Sequence, residues 1–116
     1  MESILTSIKK SIGISEEYDQ FDLQIIMSIN TVLMDLTQRL GVGPPEGFVI
    51  EDDTSTWNDF LPNESSGRLE GVKSYISLRV RLLFDPPLNS SHIESINNQI
   101  DQLEWTIGLI ADESTS

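Results

Sequence analysis

The chain contains no cysteine, which excludes a disulfide scaffold, a zinc–thiolate site and thiol catalysis. It has one histidine, His92, in a serine-rich turn at the start of a helical pattern. There it reads as a solvated first-turn residue, and no general base is identified. Positive charge is scarce: 7 Lys and Arg stand against 19 Asp and Glu, the formal charge is −12, and every basic residue lies at or before Arg81. Such a surface repels phosphate and disfavours nucleic-acid binding by counterion release, although DNA can pass nearby without being gripped. No run approaches the ~20 apolar residues of a membrane span, and MESILTSIKKSIGIS alternates polar and apolar residues instead of forming a signal-peptide core. A soluble intracellular protein without membrane association is expected, so the Asn-x-Ser triplets at Asn63 and Asn89 read as chance matches. Gly-rich phosphate loops and nucleophile motifs are also missing.

What is present is helical periodicity. At 116 residues a single domain over 1–116 is expected, able to bury roughly 65% of its unfolded surface. The organising stretch is Arg68 to Pro87. Leu69, Val72, Ile76, Val80 and Leu83 fall in one helical arc, as a core-facing stripe does, while Tyr75, Leu78 and Leu82 form a second stripe on another side. A helix apolar on two faces is either central in its own domain or carries a partner on the second face. Asp85-Pro86-Pro87 ends it. Ahead of it, Ile4, Leu5, Ile8 and Ile12 predict a short first helix closed by Gly13. Ile25, Ile26, Ile29, Val32, Leu33, Leu36 and Leu40 predict a second, capped by Asp19 or Asp22 and ended by Gly41. Leu23, Met27 and Met34 make a weaker outer stripe on that helix, where Met reads more readily as core filler than as a binding surface. The last helix opens at a Ser91–Glu94 capping box, and Ile93, Ile96, Ile100, Leu103, Ile107 and Ile110 form its packed seam. Trp105 and Leu109 point to the opposite side, and 112–116 is expected to be a flexible tail. The fold class is therefore mostly α: a bundle of about four helices with a long middle loop at 42–67.

That loop holds turn chemistry at Gly43-Pro44-Pro45-Glu46-Gly47, a possible short extended piece at Phe48-Val49-Ile50, and acids at Glu51-Asp52-Asp53. Thr54, Ser55 or Thr56 can cap a helical turn carrying Trp57, Phe60 and Leu61. Connections longer than ~12 to 15 residues are usually functional or disordered. The large apolar side chains argue for a folded loop that docks. A calcium loop starting at Asp53 would put Trp57 at a ligand position and lacks the required glycine. Asp52, Asp53 and Asp59 can approach one another, which leaves a metal-dependent hydrolase as a minor reading. Otherwise no catalytic, cofactor or metal site is identified.

The segments YDQFDLQIIMSINTVLMDLTQRLGVGPPEGF, TWNDFL, LEGVKSYISLRVRLLFDPP and QLEW keep their order from Tyr18 to Trp105. Together they resemble the head-tail connector adaptors of siphophages and prophages of Gram-positive bacteria. The family often carries a basic residue after its late aromatic; Thr106 follows Trp105 here. The resemblance implies a structural, non-enzymatic protein of the virion neck, assembled in the host cytoplasm. It implies a dodecameric ring beneath the portal protein that extends the DNA channel and meets the next head-completion or tail protein, the stopper. A ring of identical subunits requires two different patches on each subunit, meeting head to tail. Tyr75, Leu78 and Leu82 with Leu23, Met27 and Met34 are the candidates. Phe48, Trp57 and Phe60 are candidates for reaching a neighbouring subunit, and Trp105 with Leu109 for docking on the portal. Acidic channel walls would let the duplex pass unheld. The alternative from another class is a small acidic adaptor or DNA-mimic regulator, which needs carboxylates spaced along one exposed face.

Overall fold

Helix α1 spans Ile4–Ser11, α2 Asp22–Gln38, α3 Trp57–Phe60, α4 Ser66–Phe84 and α5 Ser90–Thr115. These five are the helices among the described residues of the computed structural model, which describes the backbone of 2–62 and 66–115 and the side chains of 2–62 and 68–108. No strand forms among them; Ser3 and Thr56 make one isolated antiparallel bridge. The helical bundle expected from sequence is thus observed, with the single turn α3 inside the middle connection as its fifth element. The run 48–50 is not a strand. Its Ile50 N–H donates to Asn30 Oδ1 at 2.8 Å and its carbonyl accepts from Asn30 Nδ2 at 2.9 Å. A side-chain amide on α2 therefore stands in for a neighbouring strand and satisfies both backbone groups.

The ends of the helices are set by local chemistry. Ser3 Oγ accepts from Thr6 N–H to open α1, and Gly13, at φ +81°, closes it. Gly13 N–H reaches the Lys10 carbonyl and Ile14 N–H the Lys9 carbonyl at 3.2 and 2.8 Å, the double bond of a left-handed helix stop. Lys9 does more than favour the helix dipole. Its side chain is buried, donates to the Glu16 and Tyr18 carbonyls at 3.0 and 2.7 Å, and pairs with Asp22 at 2.8 Å. This one ammonium fastens the connection between α1 and α2. Asp22 is consequently a first-turn residue, and the N-cap is Phe21, which makes no side-chain cap bond. In α5 the cap is Asn89 instead of Ser91, because Asn89 Oδ1 accepts from Ser91 N–H at 2.7 Å.

Helix α4 is the centre of the bundle: α1, α2 and α5 all pack against it. Val72, Tyr75, Ile76 and Val80 are fully buried, opposite Ile25, Ile29, Val32, Leu33 and Leu36 of α2. Ile96, Ile100 and Ile107 of α5 close the other side; Ile110 lies outside the described side chains. Two positions differ from the helical arc read above. Tyr75 is completely buried, whereas Leu83 is 51% exposed. The wheel gives a direction, but Leu83 sits in the last turn of α4, where no element covers it at that level, and Tyr75 lies mid-helix between neighbours on both sides. α5 runs on to Thr115, through the stretch expected to be a tail; its side chains from 109 lie outside the described residues.

The middle connection folds back on the chain's own core. Thr56 and Asp59 form a reciprocal capping box around α3. Val42, Ile50, Trp57, Phe60 and Leu61 are buried. Trp57 Nε1 donates to Ser7 Oγ at 2.9 Å, and Lys73 Nζ stands 5.5 Å from the ring centroid. Trp57 therefore docks on α1 and α4 of the same molecule, and Phe60 is buried in that molecule's own core, so neither ring is presented to a neighbouring subunit in this structure. Phe48 is half-buried, its ring 5.3 Å from that of Phe60.

Gly43 is the residue this arrangement tolerates least in substitution. It has φ +92°, and a Cβ there would run into the buried Phe60 ring. Gly43→Ala combines left-handed backbone strain with overpacking, so a loss of about 2 kcal/mol is expected in urea unfolding. Gly13→Ala meets no atom and should cost only the backbone share, about 1 kcal/mol. Equal losses at the two sites would show that the Phe60 ring yields.

Candidate functional site

The functional candidates are the surfaces the bundle leaves uncovered. On α2, Leu23, Met27 and Met34 are separated by whole turns and share one face. They are 71%, 63% and 60% exposed. A core-filler role is therefore excluded for these methionines, and the stripe continues onto the exposed Val49. Met34 and Val49 flank a shallow recess of about 250 Å³ that also takes in Phe48.

The second stripe, on α4, does not face outward as a unit. Tyr75 is core, and Leu78 and Leu82 are half-buried, packed at the edge of that core. Of the three, Leu78 is the one that meets a surface groove, which Ser74, Gln99 and Gln102 also line between α4 and α5. Tyr75 as a direct subunit contact is thus corrected: a helix packed on both sides needs apolar residues on both. Trp105 stands 69% exposed on the side of α5 away from the Ile100–Leu103–Ile107 seam. Leu109 lies outside the described side chains.

Beneath these surfaces a network of five polar side chains ties α2, α4 and α5 together. Arg39 makes a two-pronged contact with Asp35, at 3.0 and 2.7 Å, and also pairs with Glu104. Arg79 Nη1 donates to Asp35 at 2.8 Å and to the Tyr75 hydroxyl at 2.7 Å. That hydroxyl donates in turn to Glu104 Oε2 at 3.2 Å. The Arg39 hydrogen bonds, with Arg79 beside them, hold the Asp35 carboxyl far below the usual carboxylate range. Arg39 lowers Glu104 too, and burial raises the Tyr75 phenol. Each charge has an opposite partner and each buried donor an acceptor, so the cluster positions helices and offers no unspent group for catalysis.

Two of the three loop acids are also committed locally. Asp59 is held in its capping box, and Asp52 accepts from Thr54 N–H at 2.9 Å. His92 is exposed in the first turn of α5. Among the described residues no three His, Asp or Glu side chains converge on a point that could hold a metal, and no helix is long and apolar enough to cross a membrane.

Three features escaped the sequence. Lys9 and Asn30 are polar residues whose partners are backbone groups of a loop, and nothing in their spacing signals that. The third is a cluster in which the Tyr18, Phe21 and Phe84 rings follow one another at 5.6 and 5.5 Å. The family model for phage connector proteins matches residues 4–114 of the chain. No curated protein and no solved structure gives a match.

Proposed function

The chain belongs to the phage connector protein family, and from that premise we propose that it is a head-completion protein that forms a ring under the portal, extends the DNA channel and links head to tail. The observation that carries the ring is the α2 stripe. Leu23, Met27 and Met34 leave an apolar line in water, interrupted by Thr31, on a helix whose opposite face is fully packed. Such a line is a protein–protein contact. It forms one half of a head-to-tail interface, and the α4–α5 groove at Leu78, with Leu82 beyond it, forms the other. Twelve copies, as in the adaptors the chain resembles, close the ring. Trp105 is the portal anchor, an exposed aromatic that gains most by full burial. The chain's net negative charge keeps the duplex moving through the channel without specific binding. No enzymatic step is part of this role.

A DNA mimic draws less support, because Asp22, Asp35 and Glu104 are already neutralised by Lys9, Arg39 and Arg79. The test is negative-stain imaging of the chain co-produced with the portal of its own phage. A second ring stacked coaxially on the portal is expected. Met27→Glu with Met34→Glu, both on the exposed face, should abolish that ring while helicity and cooperative melting stay unchanged. Bare portals with the unmodified chain at micromolar concentration would sink the connector geometry. Intact rings with the double variant would move the interface elsewhere.

A further inference from the structure

One end of the bundle brings together the connection between α1 and α2 and the last turn of α4. Tyr18 and Phe21 are exposed, Phe84 is half-buried beside them, and Leu83 and Leu88 are also exposed. A groove of about 600 Å³ runs between Ile14, Phe21, Leu83 and Phe84, large enough to take one or two apolar side chains. Exposed aromatics edged by a groove are the composition of an interface core. The rim is acidic: Asp85 lines the groove, and the connection that carries Tyr18 and Phe21 also carries the exposed Glu16, Glu17 and Asp19. Lys9, the cation nearest in space to that connection, is buried beneath it.

We propose that this aromatic end is a docking site for a basic segment of another protein, one that inserts an apolar side chain beside Phe21 and Phe84 and sets Lys or Arg against the acidic rim. Charge decides against a second copy as the occupant. Of the chain's 7 basic residues, Lys9, Lys10, Arg39, Lys73 and Arg79 are among those already paired within it. A second copy would also add another net charge of −12 against the same rim. The groove's lining includes none of Leu23, Met27, Met34, Leu78, Leu82 or Trp105, so a partner can fill it alongside the proposed ring contacts. Resting on the connector role, the partner is one of the two proteins flanking the ring.

Binding of the full chain to the portal and to the next neck protein of the same phage, each measured separately by biolayer interferometry, tests this. Tyr18→Ser with Phe21→Ser removes both exposed rings. Phe21 is the uncapped N-cap of α2, so a serine there suits the helix and the variant keeps its fold. Glu16→Lys with Glu17→Lys inverts the rim. For one of the two partners, each variant should weaken binding about 10-fold or more. Raising salt from 50 to 500 mM should weaken the unmodified chain but leave the rim variant nearly unaffected. Binding unchanged in both variants overturns the site while leaving the connector role standing. Loss in the ring-removal variant alone overturns the basic partner. If the ring-removal variant instead loses self-association by sedimentation and keeps both partners, a second copy is the occupant and the proposal falls. Failure of the unmodified chain to bind either protein removes the connector role and this site together.

Discussion

Trp57→Ala is expected to lower the unfolding free energy by about 3–5 kcal/mol, the range for truncating a large buried aromatic. Trp57 is 1% exposed, and its indole is the wedge that holds the middle connection against α1 and α4. The substitution removes the ring, deletes the hydrogen bond from the indole N–H to Ser7 Oγ, and leaves a cavity under α3. A helix of 4 residues has no stability of its own, so α3 should loosen with it. Since mesophilic domains hold only about 5–15 kcal/mol in all, the variant should lie near its unfolding threshold at room temperature. Urea unfolding followed by far-UV circular dichroism measures the loss. A cost below about 1 kcal/mol would mean that Trp57 spends its energy on a neighbouring subunit, because a docking residue leaves the monomer stable when it is truncated.

That contrast shows where the sequence was legible. Elements built by local chemistry could be read directly: a cap for α3 among Thr54, Ser55 and Thr56, the Gly13 stop of α1, and the Ile96–Ile100–Ile107 seam of α5. Each signal lies within a few residues of what it causes. Orientation was less legible. Tyr75 and Leu83 exchanged roles because helical periodicity fixes angles around an axis, while burial depends on which neighbour stands at that height. The apolar α2 stripe was visible as a pattern, but only the packed opposite face shows that it stays in water. The aromatic end was invisible, since Phe21 and Phe84 lie on different helices and meet only after α2 packs against α4. Lys9 and Asn30 bind loop carbonyls, and carbonyls carry no sequence signature.

Asp35→Ala should be the most damaging substitution outside the apolar core, at about 3 kcal/mol. Removing one member of a buried charge network costs about 3–5 kcal/mol. Asp35 keeps 27% of its side-chain surface in water, which places it at the low end through screening. Without the carboxylate, Arg79 loses its acidic partner and Arg39 keeps only Glu104. Acid should act on the same element. Asp35 and Glu104 are both held below their ordinary carboxyl values by Arg39, so below about pH 4 the unfolded chain takes up protons that the folded chain refuses. Their contribution is complete above the unfolded-state values and is lost as pH falls through the folded ones. The thermal midpoint of the unmodified protein should therefore drop steeply between about pH 4 and pH 2. Asp35→Asn keeps the shape but removes one of the two ionisations, so it should start lower at pH 7 and decline less steeply. Differential scanning calorimetry across that window decides the matter. Parallel profiles would show that the arginines draw nothing from the Asp35 charge, and that shape alone joins α2 to α4.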